Sequence, residues 1–242
     1  MILQKLYNPR SEPMRVAGFM SGSGSNIRKL VATGKETNLY SIVVLFSDRA
    51  DSKAPAIGKD FDIPVITRDI RGFYSERKQP LRNMDVRRDF DFQTARSIET
   101  YGIDVIAYGG YMSKVSPWLC EQHLGVNVHP ADLSILGADG KPVYVGDKAV
   151  KAALDAGEKY LRSTTHIVEK DVDLGRILMR SAPMEVERGD SPDDVQGCLK
   201  EVGDWVIFPK TLEYLAQGRF EKDETGKLYF CGEPIPNGVT LK

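Results

Sequence analysis

Cysteine is scarce in this chain of 242 residues: Cys120, Cys198 and Cys231 are far apart and never form a Cys-x-x-Cys pair. That excludes a disulfide framework and a cysteine-built zinc site, and it fits a reducing compartment. Histidine is equally rare, so any imidazole chemistry must come from His123, His129 or His166. No apolar run approaches the ~20 residues of a membrane-spanning helix. The opening MILQKLYNPRSEPMR is interrupted by Asn8, Pro9, Arg10 and Pro13 before it can form the apolar segment of a signal peptide. An excess of charge of one sign is missing too: 33 basic and 34 acidic residues leave a formal net charge of -1, so no overall field attracts nucleic acid or an anionic membrane. Internal repeats and low-complexity tracts are absent. These absences predict a cytoplasmic protein with neither nucleic acid nor membrane as partner.

Hydrophobic residues make up 41% and charged residues 28%, the balance of a folded globular protein with a sizeable core. After an N-terminal extension over residues 1–14, short Val- and Ile-rich runs alternate with segments of helical spacing, as in Phe90, Ala95, Ile98 and Tyr101. The ordering predicts an α/β fold: a Rossmann-like, mostly parallel sheet with helices on both faces, in one domain over residues 15–242. Strands are expected at Arg15 to Met20, Ser41 to Phe46, Ile63 to Thr67, Asp104 to Tyr108, Gly125 to Val128 and Ser163 to Val168. Helices are expected to begin near Ser25, Lys53, Arg87, Pro117, Asp147 and Pro192. Ser191 to Gly218 reads as the longest helix, kinked or restarted at Pro209, where a backbone donor is lost. The tail from Arg219 to Pro236, with its Thr225-Gly226 turn, reads as a terminal hairpin.

RVAGFM runs into SGSGSN and then NIRKLVA, which puts Gly22, Gly24, Ser25 and Asn26 between a strand and a helix N-terminus. Glycines let the backbone approach closely and the first-turn N–H groups point outward, so the loop suits a phosphate. As a dinucleotide fingerprint it is poor, because Ile27 stands where a third glycine is needed. A tight turn without a ligand is the alternative.

Asn127 and His129, two apart in a strand, project to the same side. An amide able to hold a carbonyl oxygen beside an imidazole able to carry a proton suits acyl-type transfer through a tetrahedral intermediate. Downstream, VEKDVDLG supplies Asp171 and Asp173 ahead of Gly175. A carboxylate beside the histidine favours its protonated form. The rest of a metal coordination set is missing nearby, so no metal is expected.

SGSGSN, GGYMSKVSP (Gly109 to Pro117), NVHP (Asn127 to Pro130) and THIVEKDVDLG (Thr165 to Gly175) resemble, in order and spacing, the folate-dependent formyltransferases, most nearly those whose acceptor is phosphoribosylglycinamide. The resemblance runs from about Arg15 to Pro236. It implies a co-substrate, 10-formyltetrahydrofolate, and a phosphorylated amine as acceptor, within purine synthesis. It implies that Asn127 contacts the formyl oxygen, that His129 is a general acid, and that Asp173 raises its pKa. Gly24, Ser25 and Asn26 would hold the acceptor's phosphate. Met112, Ser113, Lys114 and Val115 would present backbone groups to the pterin, with Arg87 and Asn127 completing the folate contacts. Glu201 and Asp204 are both candidates for the acidic group that grips the acceptor amine.

The chain departs from that pattern after NVHP, where ADLSILGADGKPVYVGDKAV is longer and differently composed than expected. This keeps another small amine, such as an amino sugar, open as acceptor. The charged stretch RGFYSERKQPLRNMDVRR reads as solvated surface. A tRNA-formylating enzyme would need a further basic domain, and a formyltetrahydrofolate hydrolase a regulatory segment before the first strand. From another class, the loop alone would also suit a non-catalytic phosphate- or nucleotide-binding module. A homodimer stays open.

Overall fold

The computed structural model describes residues 2–187 and 189–241. The chain divides into two compact units, one of Glu12–Val126 and one from Asn127 onward that also takes in the N-terminal residues through Ser11.

In the first unit four parallel strands lie in the order Val105–Tyr108, Met14–Met20, Tyr40–Ser47, Val65–Thr67. Their runs, VAGFM and IVVLF among them, are apolar without alternation because parallel strands are covered on both faces. Helices Ser25–Thr37 and Ala54–Phe61 end at Asn38 and Asp62, whose left-handed backbones return an N–H to the carbonyls of Gly34 and Gly58. An aromatic seam joins the layers: Phe46 lies 4.8 Å from Phe19 and 6.1 Å from Phe90, and Phe90 lies 5.1 Å from Phe73, between ring centroids.

Most of the charged stretch before Arg87 is exposed, as expected of solvated surface. It contains a helix, Ile70–Glu76, capped by the Asp69 carboxylate accepting from Gly72 N–H, and it buries Phe73 and Tyr74. The next helix, Met84–Glu99, starts ahead of the expected Arg87 because Asn83 caps it, accepting from the N–H groups of Asp85 and Val86. Arg87 thus falls one turn inside the helix, and its side chain is buried.

In the second unit Val239–Thr240 runs parallel to Ile177–Arg180, which is antiparallel to Thr164–Ile167, and Leu124–His129 lies beside that strand. The register slips between Thr165 and His166, an irregularity of the kind that re-aims a side chain. The expected long helix is three pieces: Pro192–Leu199, a π-helical turn Lys200–Asp204, and Trp205–Ala216. Pro209 lies inside the last piece, and the break comes before it. The wide turn, closed by Trp205 N–H on the Lys200 carbonyl, carries Asp204 into the interior. The terminal hairpin forms from Phe220–Lys222 and Leu228–Phe230, closed by Asp223, whose carboxylate accepts from the N–H groups of Thr225 and Lys227. Glu233–Pro234 and the N-terminal Gln4–Lys5 extend it to four antiparallel strands.

The fold class is mixed α/β with a mostly parallel central sheet, as the alternation of runs predicts. Among the described residues no helix is long and apolar enough to cross a membrane. Phe46 is fully buried in the aromatic seam, so Phe46→Ala should lower the unfolding free energy by about 3–5 kcal/mol, read as a drop in denaturant midpoint at unchanged slope.

Candidate active site

The strand Leu124–His129 carries Asn127 at its half-buried edge and ends on the buried His129. Across from it stand His166, on Thr164–Ile167, and Asp173, in the loop before Ile177–Arg180. Asp173 Oδ2 lies 3.4 Å from His129 Nδ1 and Asp173 Oδ1 lies 3.4 Å from His166 Nε2, so one carboxylate sits between two imidazoles. Asn127 Nδ2 is 3.1 Å from that same His166 nitrogen. The three residues singled out from sequence therefore meet, and His166 joins them.

Backbone geometry makes the meeting possible. Asp173 has a left-handed backbone, φ 56°, which a short polar side chain tolerates and which turns the carboxylate inward. Gly175 lets the loop pass against the strand, because a Cβ there would lie 1.7 Å from the Ile167 carbonyl oxygen and 3.1 Å from His166 Nδ1. The loop after His129 closes the other side. It is pinned at its base by Thr164 Oγ1, which donates to the Ala131 carbonyl and accepts from Leu133 N–H, and it folds back as a small hairpin with Leu136 bridged to Pro142. Its far limb donates Gly146 N–H to Asp173 Oδ2 at 2.8 Å and presents the Tyr144 carbonyl to His129 Nε2, also at 2.8 Å. Tyr144 is held in turn by its hydroxyl on Glu158 and by packing among Val150, Ala153 and Leu161.

A carbonyl oxygen only accepts, so His129 Nε2 carries a proton, and so does His166 Nδ1, which faces the Ile167 carbonyl at 2.9 Å. Burial opposes ionisation of Asp173, but the His166 hydrogen bond, the charge of His129 and the Gly146 N–H outweigh it and hold the carboxyl down at about 2. For His129 the order of effects is reversed. Burial pushes its pKa down, and the upward pull of Asp173 and of the Tyr144 carbonyl does not make up the difference, with His166 adding a further downward push. The expected net upward shift on His129 is therefore absent in this arrangement. The 3.4 Å separation from Asp173, longer than the ~2.7–2.9 Å of a charge-assisted hydrogen bond, accords with a neutral resting imidazole.

The phosphate candidates, and the folate candidates other than Asn127, lie in the first unit. Gly24, φ 67°, is the N-cap of the helix that begins at Ser25, and a Cβ on it would lie 2.5 Å from Ile57 Cδ1 and Met20 Cε. Only glycine fits there. Asn26 is buried at the first turn beside Gly109. Ser21, at the start of the loop, donates its N–H to the Gly110 carbonyl and accepts Met112 N–H on Oγ, so the phosphate-type loop and the Met112–Val115 segment are adjoining. Arg87 is not exposed beside them: its side chain is 3% accessible and engaged by Asp91 and by the Tyr111 hydroxyl. Of the two acidic candidates, Glu201 is exposed, and Asp204 is buried and accepts from Ser163 Oγ at 2.6 Å.

The sequence reading did not assign roles to His166, Tyr144 and Gly146. His166 had a signal, a strand-borne histidine in STTHI. Tyr144 and Gly146 act through backbone atoms, which leave no trace in residue type.

Residues 14–212 match the model of the formyl transferase family. The chain is 25% identical over 226 residues to phosphoribosylglycinamide formyltransferase of Escherichia coli (strain K12), covering 92% of this chain and 96% of that one. It is 29% identical over 223 residues to the trifunctional purine biosynthetic protein adenosine-3 of Homo sapiens, and spans only 20% of that protein's length. It likewise spans about a fifth of the trifunctional relatives from Gallus gallus and Bos taurus. Among solved structures, phosphoribosylglycinamide formyltransferase from Coxiella burnetii superimposes with a TM-score of 0.79 at 22% identity, over 96% of this chain and all of that one, which shows a shared fold.

The depressed Asp173 has a measurable sign. Its folded pKa of about 2 lies below the ordinary 3.8, so the stability it contributes is complete above about pH 4 and disappears as pH falls through about 2. The lowered His129 costs stability as pH falls below ~6.5, where only the unfolded chain takes the proton readily. Denaturant titrations at stepped pH should show a shallower acid limb between pH 4 and 2 in Asp173→Asn than in the parent; parallel limbs would contradict a carboxylate held that low.

Proposed function

Because this chain belongs to the formyl transferase family, we propose that it transfers the formyl group of 10-formyltetrahydrofolate to the amine of phosphoribosylglycinamide, a step of purine synthesis. The observation that carries this reading is the group of Asn127, His129 and Asp173, drawn together with His166 in one buried constellation. Support for the acceptor comes from the relatives named phosphoribosylglycinamide formyltransferase and from the glycine-bearing strand-to-helix loop suited to a phosphate.

Formyl transfer makes one carbon–nitrogen bond and breaks another. The acceptor amine attacks the formyl carbon, the carbonyl oxygen becomes an oxyanion, and collapse expels the folate nitrogen. One proton must leave the amine and one must reach the departing nitrogen. Asn127, whose side-chain amide can donate, suits the oxyanion. A histidine kept neutral by burial suits the proton transfer, because its pKa lies on the side from which it can first accept and then return the proton. Asp173, ionised and close to His129 Nδ1, stabilises the imidazolium formed in between. Gly24, Ser25 and Asn26 are the proposed phosphate contacts, Met112 to Val115 the proposed pterin contacts, and Glu201 or Asp204 the proposed acidic group for the amine. Ala131 to Val150, the segment after NVHP, is where the chain departs from the pattern its motifs suggest. That longer loop beside His129 favours, as a second reading, another small amine as acceptor.

Release of tetrahydrofolate, followed spectroscopically with 10-formyltetrahydrofolate plus phosphoribosylglycinamide and with the folate alone, tests the reading. Turnover that requires the ribotide is expected. Turnover without it would identify a hydrolase, and folate binding without turnover would send the search to other amines. Asn127→Ala and His129→Ala should each lose roughly a hundred- to a thousandfold in kcat with the far-UV spectrum and Tm retained. Near-normal turnover in either variant would sink the assignment.

A further inference from the structure

The segment Tyr111–Ser116 contains no helix or strand, yet it is anchored at nearly every second residue. Tyr111 accepts a hydrogen bond on its hydroxyl from Arg87 Nη2 at 2.8 Å, and the same Nη2 lies 2.8 Å from Asp91 Oδ1. Met112 N–H donates to Ser21 Oγ at 2.8 Å, and Ser21 Oγ donates in turn to Asp48 Oδ1 at 2.6 Å. Ser113 Oγ donates to the other oxygen of Asp48. Ser116 N–H donates to Asp91 Oδ2 at 2.7 Å. The two carboxylates, on different elements, are both fully enclosed: Asp48 at 0% and Asp91 at 1% accessibility.

Between these anchors the segment faces outward. Met112 and Lys114 are exposed, and among the described residues the backbone groups of Lys114 and Val115 bond to nothing in the protein. A stretch of chain with its polar backbone unspent would ordinarily be mobile. Here its inner side is tied to buried charges, which cannot release their donors without being left unpaired out of water.

Arg87 belongs to this arrangement. Its guanidinium carbon lies 5.0 Å from the Phe90 ring centroid and 5.8 Å from that of Tyr111, and Nε and Nη1 have no hydrogen-bond partner. Enclosed to 3%, with Nη2 shared between Asp91 and Tyr111, the guanidinium is held on the inner side of the segment.

We propose that Asp48, Asp91 and Arg87 are positioning residues that hold Tyr111–Ser116 ready to receive a pterin, and that Arg87 acts through this segment and not by contacting the folate. This rests on the reading of Met112 to Val115 as the pterin-facing stretch. Direct contact of Arg87 with the glutamate tail would make its loss felt only by ligands that carry the tail. Positioning makes the loss independent of the tail.

The test uses two stable 10-formyl-5,8-dideaza folate analogues, one with the glutamate tail and one ending at the benzoate, titrated calorimetrically into the full-length chain. Ser113→Ala and Tyr111→Phe each remove one anchor while the buried charge behind it keeps another partner, Ser21 for Asp48 and Asp91 for Arg87, and Arg87→Lys keeps the charge while losing the Nη2 that Tyr111 and Asp91 share. Each should weaken both analogues by about the same factor, roughly three- to tenfold, with the fold retained and Tm lowered by several degrees. Asp48→Asn should weaken both by about tenfold or more. Wild-type affinity in Ser113→Ala and Tyr111→Phe would overturn the proposal. So would an Arg87→Lys loss confined to the analogue with the tail. If the unaltered chain binds neither analogue, the folate reading itself fails and takes this proposal with it.

Discussion

A single carboxylate, Asp173, placed between two imidazoles and supplied with a backbone N–H from Gly146, is the constraint around which the candidate site in the second unit is arranged. Removing it from water is unfavourable, and the groups that offset the cost come from three different places: a strand end, a neighbouring strand, and the loop after His129. None of the three can shift alone without leaving a charge or a proton unmatched. The left-handed turn at Asp173 and the close passage at Gly175 follow from the need to bring that oxygen pair to that point.

The same device recurs. Asp48 and Asp91 tie down an irregular segment, and Asp204, turned inward by a π-helical turn, takes a hydroxyl from Ser163. Each is a carboxylate made dependent on donors that lie far away in sequence, so each specifies a long-range contact more sharply than apolar packing can. Around them the apolar strands and the Phe19, Phe46, Phe90 and Phe73 seam supply the bulk of the burial, which tolerates variation in shape, while the carboxylates tolerate little variation in position.

Burial also decided the one electrostatic expectation that did not hold. A histidine near a carboxylate is expected to be drawn toward its charged form, and Asp173 does pull His129 that way. Yet His129 and His166 share a site closed to water and repel each other as cations, and desolvation is the larger effect. Neither the depth of His129 nor the second imidazole beside it could be weighed from spacing along the chain.

Much of the architecture was readable in advance. Unbroken apolar runs rich in β-branched residues, such as IVVLF, read as strands covered on both faces, the turn from RVAGFM into SGSGSN reads as a strand joined to a helix, and Asn127 with His129 share a side once they lie in a strand, because strand side chains alternate. These follow from local geometry, so residue order was sufficient. The helix Ile70–Glu76 was hidden because its three inward residues, Ile70, Phe73 and Tyr74, fall in a short piece at the start of a stretch rich in charge. The break was expected at Pro209 and lies instead at Lys200–Asp204, with Pro209 inside the helix that follows. Arg87 in the interior, the Tyr144 carbonyl on His129 and the Gly146 N–H on Asp173 needed the folded chain, since burial and backbone direction arise from contacts between residues distant in the sequence.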